Sequence, residues 1–351
     1  MKKMINIYKK DNKIDHNKFN VSLIIPCRNE ERYIDRCLNS VIEQDYPMDN
    51  LEVLVIDGMS KDKTLQIVEN YKEKLLSIKI LKNPKKTTPY AFNLGINYSK
   101  ADIIMIMSAH STLEKDYISK CVKYLDKYSV DNVGGIWITL SGDNTIIAQS
   151  IALTLSHPFG VGNTYFRIGS EEPKYVDTVP FGCYRKEVFK KIGLFNEGLI
   201  RNQDLEFNLR LKKAEGKILL VPDIVSYYYA RSTLRALAKN NFSNGFWVIY
   251  STKFAKMPFS VRHLIPFFFV LSICGSLILS FIYKPFIYLF YLVSIAYLTS
   301  NIFFSLGLSC KEGFKYFVPM MASFTTLHFS YGFGSMRGLI KLLWERIRRV
   351  I

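Results

Sequence analysis

The sequence predicts an α/β domain built on a mostly parallel, doubly wound sheet and followed by a C-terminal α-helical membrane domain. Three observations carry this reading. From residue 21 to about residue 128, apolar runs of strand length alternate with segments of helical periodicity, the pattern of successive β-α-β units. The runs Val21–Ile25, Leu51–Ile56 and Asp102–Met107 are nearly unbroken in apolar residues, as strands covered on both faces require. Beyond about residue 255 the character changes: Leu264–Tyr283 and Pro285–Cys310 are uncharged and long enough to cross the ~30 Å hydrocarbon core of a bilayer.

Composition narrows the function classes. The 351 residues carry a net charge of +17, with basic residues scattered along the first part and concentrated at Arg337–Arg349. Their place beside the apolar segments points to anionic membrane lipids and pyrophosphate ligands. No Arg-rich or aromatic-interleaved motif is present, so nucleic acid is not expected as a partner. Residues 1–20 form a basic tail with no continuous apolar stretch, so the first domain is expected to stay in the cytosol. Six cysteines without paired spacing read as buried thiols.

In chain order, Val21–Ile25 is a strand closed by Pro26. A helix is expected to open at Cys27–Glu31, with an apolar stripe at Tyr33, Ile34, Cys37, Leu38, Val41 and Ile42. The loop after this strand reads PCRNE and offers no glycine to admit a pyrophosphate, which argues against a dinucleotide-binding Rossmann unit. Leu51–Ile56 runs into Asp57 at its carboxyl end, where open α/β sheets place their ligands, and Asp62 follows in the turn. Asp57 and Asp62 suit a nucleotide-contacting loop; a capping Asp and a turn Asp are the structural alternative. Ser77–Leu81 is a third strand, and Thr88-Pro89 opens the next helix. Asp102–Met107 ends on a second polar tip, Ser108-Ala109-His110, expected close to Asp57, and a helix follows from Leu113 to about Tyr128.

After Val133 the alternation loosens. Ser156–Arg167, SHPFGVGNTYFR, reads as a flexible substrate loop or an ordinary connector. Asn202 is the expected N-cap of an amphipathic helix with Gln203 and Asp204 in its first turn, where Asp204 either complements the helix dipole or faces a cleft. Ile218–Val221 and Val225–Tyr229 read as two strands, and Thr233–Phe254 as an amphipathic helix suited to the membrane surface. The apolar segments give a transmembrane hairpin. A third stretch, Tyr316–Met336, is either a span or a re-entrant element, because three spans would leave Lys341, Arg346, Arg348 and Arg349 outside. The expected divisions are a tail (1–20), the α/β domain (21–230), an interfacial segment (231–260), the membrane part (261–336) and a basic tail (337–351).

The segments SLIIPCRNEERYIDRCLNSVIEQDYP, VLVIDGMSKDKT, PYAFNLGINYSKADIIMIMSAHS, VPFGCYRKEVFKKIGLFNEGL and NQDLEFNLRL, in this order, resemble family 2 glycosyltransferases of the GT-A fold. SHPFGVGNTYFR, LAKNNFSNGFW and HFSYGFGS are most similar to the succinoglycan-biosynthesis glucosyltransferase branch. The resemblance implies a nucleotide-diphosphate sugar as donor, a UDP-sugar first. Pro26, Arg28, Asn29 and Glu30 match its first nucleotide loop, Asp57 its base-contacting aspartate, and Asp62 the adjoining turn. Lys86 stands where the fold places residues near the donor. Ser108-Ala109-His110 occupies the D-x-D position, so His110 is the implied metal ligand, and Ser108 in place of the first Asp weakens the case for a divalent cation, Mn²⁺ or Mg²⁺. Asp204 falls at the catalytic-base position, with Gln203 and Trp247 on the acceptor side.

Chemistry gives these residue types a reason. A departing nucleotide diphosphate gathers negative charge, and an inverting displacement needs a carboxylate opposite it to take the acceptor's proton. The expected function is a membrane-associated inverting glycosyltransferase acting on a lipid-linked saccharide in surface polysaccharide or glycan biosynthesis, multi-pass in the plasma membrane with its catalytic domain cytosolic. The alternatives are transfer to polyprenyl phosphate itself, and a catalytically silent scaffold of a polysaccharide-assembly complex.

Overall fold

The computed structural model describes residues 19–75, 77–254 and 261–350. The expected N-terminal tail lies almost wholly outside the described residues. Strands β1 (Val21–Cys27), β2 (Leu51–Asp57), β3 (Ile78–Lys82) and β4 (Ile103–Ile106) are parallel and lie side by side in the order β3-β2-β1-β4. The register pairs Cys27 with Asp57 and Ile24 with Ile106, so these strands end along one edge of the sheet. Helix α1 (Ile34–Ile42) buries Ile34, Cys37, Leu38 and Val41 on one face of the sheet, while α3 (Thr88–Tyr98) buries Ala91, Phe92 and Ile96 on the other. Two cores on opposite faces make this half doubly wound. The short α2 (Thr64–Glu69) follows β2, and α4 (Tyr117–Lys127) joins the core of α1.

The sheet as a whole is mixed rather than mostly parallel. β5 (Ser111–Leu113), β6 (Asn132–Leu140), β7 (Lys174–Tyr175), β8 (Cys183–Arg185) and β9 (Ile218–Tyr229) extend it beyond β4. β8 runs antiparallel to both β4 and β6, and β9 is antiparallel to β5 and β7 but parallel to β6. The sequence hides these strands for local reasons. β6 contains Gly134-Gly135, which break its apolar pattern. β9 contains Pro222-Asp223, which made one strand read as two. The ladder accommodates Pro222 by skipping from the pair Gly134–Leu220 to Ile136–Val225, so the proline lies in a bulge that requires no donor from it.

The remaining helices ahead of the C-terminal part are α5 (Ile146–Leu155), α6 (Pro158–Val161), α7 (Tyr165–Ile168), α8 (Glu187–Ile192) and α9 (Gln203–Lys213). The stretch expected as a flexible loop is thus largely two helical turns, α6 and α7. α1 begins at Ile34 rather than at Cys27–Glu31, which leaves Arg28–Tyr33 as a loop at the strand tips. Cys27, Cys37, Cys121 and Cys183 are buried free thiols, whereas Cys310 is exposed.

The C-terminal part consists of α10 (Leu234–Tyr250), α11 (Ile265–Ser280), α12 (Phe286–Glu312) and α13 (Phe317–Val350). α10, the helix expected at residues 233–254, packs along α13. The two backbones touch: a Cβ on Gly245 would lie 2.0 Å from the Tyr331 carbonyl oxygen, and one on Gly334 would lie 2.0 Å from that of Phe242. Among the described residues α12 alone is long and apolar enough to cross a membrane. α11 has 16 residues, about 24 Å at 1.5 Å per residue, short of a full span. The expected transmembrane hairpin is therefore not supported, nor is a multi-pass topology. Residues 337–350, expected as a tail, continue α13.

Candidate active site

The strand tips and the C-terminal helices enclose one cleft of about 970 Å³. At its β1/β2 end, two loops are stitched together by side chains. Asn29, in the left-handed region at φ 56°, donates its amide to Ser60 Oγ (3.0 Å) and accepts from the Lys61 amide (2.9 Å). Asp62 accepts from the Thr64 hydroxyl (2.6 Å) and from the Thr64 and Glu31 amides (3.1 and 3.2 Å). Burial acts to raise the Asp62 carboxyl, but these bonds outweigh it and hold it below the usual carboxylate range. Asp57 is buried, and its carboxylate accepts from the amides of Met59 (3.1 Å) and Ser60 (3.1 and 3.2 Å). Asn29, Asp57 and Asp62 thus shape the loops, and none of them lines the cleft. Pro26, Arg28 and Glu30 do.

Lys86 lines the same end at φ 60°, a strained value for a residue with a Cβ. Buried Asn83 holds it there: Asn83 Oδ1 accepts from the Lys86 amide (2.9 Å) and Asn83 Nδ2 donates to the Thr87 carbonyl (2.9 Å). At the β4 tip, the Ser108 hydroxyl lies within 3.2 Å of both His110 ring nitrogens, and His110 Nδ1 is 3.5 Å from Glu30 Oε1. Edge-on contacts from Tyr33 and Tyr228 fix the imidazole. Among the described residues no group of three or more His, Cys, Asp or Glu could hold a metal ion. His110 and Glu30 supply one imidazole and one carboxylate, a partial donor set that fits a borderline ion such as Mn²⁺ better than Mg²⁺.

Across the cleft stands the first turn of α9. Asn202 precedes it at φ 58°, and its side chain makes no capping bond, contrary to the expected N-cap. The two carboxylates of NQDLE have separate fates. Glu206 is buried and paired with Arg210 (2.7 Å), whose guanidinium also donates to the carbonyls of Ile192 and Leu194 (2.5 and 2.8 Å). That pair anchors the helix. Asp204 opens onto the cleft, reachable by water yet ringed by protein. This enclosure raises its carboxyl above the ordinary value, partly opposed by hydrogen bonds from the Leu205 amide and its own. Gln203 lines the cleft beside it.

Trp247, expected on the acceptor side, is placed elsewhere: it packs on Phe246 and Tyr250, while Asn240, Asn241, Asn244 and Val248 of the same helix line the cleft. Residues that the sequence did not single out include Arg167, Arg201, Trp137 and Tyr228. Trp137 and Tyr228 stack at 4.7 Å between ring centroids. Arg201 immediately precedes the acidic motif, and that adjacency was the one available signal.

Residues 22–193 match Glycosyl transferase family 2. A dolichyl N-acetyl-alpha-D-glucosaminyl phosphate 3-beta-D-2,3-diacetamido-2,3-dideoxy-beta-D-glucuronosyltransferase of Methanococcus voltae is 34% identical over 274 residues, covering 75% of this chain and 84% of that protein. The chain is a family 2 glycosyltransferase. This glycosyltransferase is also 27% identical to the succinoglycan biosynthesis protein ExoA of Rhizobium meliloti over 225 residues, 64% of this chain and 67% of that one. The succinoglycan branch is thus one of several related groups. In fold it resembles the mannosyltransferase PcManGT of Pyrobaculum calidifontis, solved with GDP-Man and Mn²⁺, at a TM-score of 0.59 and 15% identity over 92% of this chain and 87% of that one.

Proposed function

We propose that this glycosyltransferase moves a sugar from a nucleotide-diphosphate donor, a UDP-sugar first, to a lipid-linked saccharide, with inversion at the anomeric carbon. One observation carries the reading: Asp204 opens onto the same cleft as Arg28, Lys86 and His110. The cations at the strand tips neutralise the departing diphosphate, and the carboxylate across the cleft takes the proton of the attacking hydroxyl. A divalent cation, when bound, would add positive charge at the diphosphate, and His110 and Glu30 would supply two of its ligands. The acceptor class follows the Methanococcus voltae relative, whose name specifies a dolichyl-linked sugar phosphate. The apolar α12 supports work at a membrane face, with the catalytic domain on the cytosolic side of the plasma membrane.

A panel of nucleotide-sugars tests the donor. A true donor at 100 times its Kd adds ~2.7 kcal/mol to the folded state and raises the melting temperature accordingly. Slow hydrolysis of that same donor by the purified chain is expected as well. A scaffold without turnover gives no hydrolysis with any member of the panel. The Ser108→Asp variant addresses the cation: it places a second carboxylate beside His110, and Mn²⁺ binding measured by calorimetry should tighten. Full wild-type activity in excess chelator, unchanged by His110→Ala, would remove His110 from this role.

A further inference from the structure

Most buried or half-buried arginines here have obvious partners: Arg210 has Glu206, and Arg262 has Asp177 at 2.9 Å. Arg167 and Arg201, half-buried in the cleft wall, do not, and neither does the exposed Arg231 of the same wall. Arg167, Arg201 and Arg231 come from three separate segments, the end of α7, the loop before α9 and the link from β9 to α10, and among the described residues none has an ion pair. Arg167 lies over the rings of Trp137 (4.8 Å) and Tyr228 (5.1 Å), and its Nη1 is buried without a hydrogen-bond partner. Arg201 is held by the neutral side-chain oxygens of Asn240 (3.0 Å) and Asn244 (2.8 Å). Arg231 stands exposed at the rim, and its charge bears unfavourably on Arg201. Half-buried cations that lack a counter-charge are stabilised by a bound anion.

We propose that Arg167, Arg201 and Arg231 bind the phosphate that joins the acceptor sugar to its lipid, an inference that rests on the lipid-linked acceptor proposed above. The donor's diphosphate has its own cations, Arg28 and Lys86, at the strand tips. Arg201 is three residues before Asp204 and is tied to α10, on the side of the cleft where the C-terminal helices pack. Past that seam the wall is mainly aliphatic and aromatic, with Ile265, Pro266, Phe269 and Leu327 beside Tyr297 and His328 from α11, α12 and α13. The order is then acceptor hydroxyl at Asp204, phosphate at the arginines and prenyl chain along the helices. Planar guanidinium forks match phosphate oxygens, and Arg167 is stacked so that its fork is already oriented.

The test measures binding of farnesyl phosphate and of farnesol to the full chain in detergent. Wild type is expected to bind farnesyl phosphate at least about tenfold more tightly than farnesol. Arg167→Gln and Arg201→Gln should each cut that preference about ten- to hundredfold, as loss of charge-assisted hydrogen bonds does, with UDP binding unchanged. Arg231→Gln, at an exposed site, should also lower the preference and serves if a more buried variant misfolds. No preference in wild type, a preference kept by all three variants, or a loss that falls on UDP binding would overturn the proposal. Transfer to a lipid-phosphate saccharide that persists alongside an unaltered preference would overturn this site and leave the acceptor reading standing. Donor hydrolysis with no transfer to any lipid-phosphate saccharide would overturn both.

Discussion

Asp204→Asn is expected to lower kcat by ~10²–10⁴, the usual loss when a general base is removed, while donor affinity stays close to wild type. The substitution keeps the shape of the side chain and its hydrogen bonds from the start of α9 but cannot accept a proton. Stability should move in the opposite direction from activity. Enclosure in the cleft raises the folded-state carboxyl above its unfolded value, so the folded chain favours the protonated form. The stabilising contribution is complete below the unfolded pKa, ~3.9 for Asp, and is lost as pH rises through the higher folded value. At pH 7 the wild-type chain therefore carries a carboxylate that its enclosure in the cleft disfavours, and Asp204→Asn should melt at the same temperature or higher. A carboxylate that only complemented the helix dipole would give a lower melting temperature and near-normal turnover. The pH profile supplies a second check: kcat should fall on acidification with a midpoint above the ordinary Asp range, because the working form is the deprotonated one. Near-wild-type turnover by Asp204→Asn would refute the assignment.

Gly334→Ala is expected to destabilise the chain by ~1–3 kcal/mol or more, the cost of overpacking a close interface. The added methyl would stand 2.0 Å from the Phe242 carbonyl oxygen and 2.8 Å from its carbon. Both atoms belong to the backbone of α10, so no side-chain rotation relieves the clash. The sign is what makes the experiment informative. In an unobstructed helix the same change stabilises by ~0.5–1 kcal/mol, because Ala loses less backbone freedom than Gly. Gly275 and Gly307, in α11 and α12, have no atom within 4 Å of the added Cβ and provide the internal control. Thermal melting in detergent should separate Gly334→Ala from Gly275→Ala and Gly307→Ala, with the first lower than wild type and the others at or above it. Equal behaviour of all three would mean that α10 and α13 do not cross at backbone contact.

Much of the first half was legible because its signals are local. An unbroken apolar run followed by a polar tip identifies a buried parallel strand, and β1, β2, β3 and β4 formed within two residues of the expected limits. The same locality explains what was missed. β5 has three residues and β7 two, too short for any periodicity, and both are held by pairing with β9, which is remote in sequence. The membrane part was read from hydropathy and flanking charge, which cannot distinguish a span from a helix whose small residues serve close packing. Gly332 and Gly334 sit where α13 meets other backbone: Pro266 beside Gly332, and Phe242 of α10 beside Gly334.

The family, the strand tips that carry Arg28, Lys86, Ser108 and His110, and the carboxylate at the start of α9 are all legible in the linear chain, because each depends on residue type at a short spacing. Tertiary structure decided which polar side chains reach the cleft. Asp57 and Asp62 were spent on loop amides, Glu206 on Arg210, and Trp247 turned to its aromatic neighbours, while Asp204 was left facing the cavity. It also brought Arg167, Arg201 and Arg231, from separate segments of the chain, to one cleft wall, with no carboxylate among the described residues to pair them. A linear sequence records which groups are charged; which charges are neutralised at home and which remain for a ligand depends on distances of a few ångströms that only the packed chain sets.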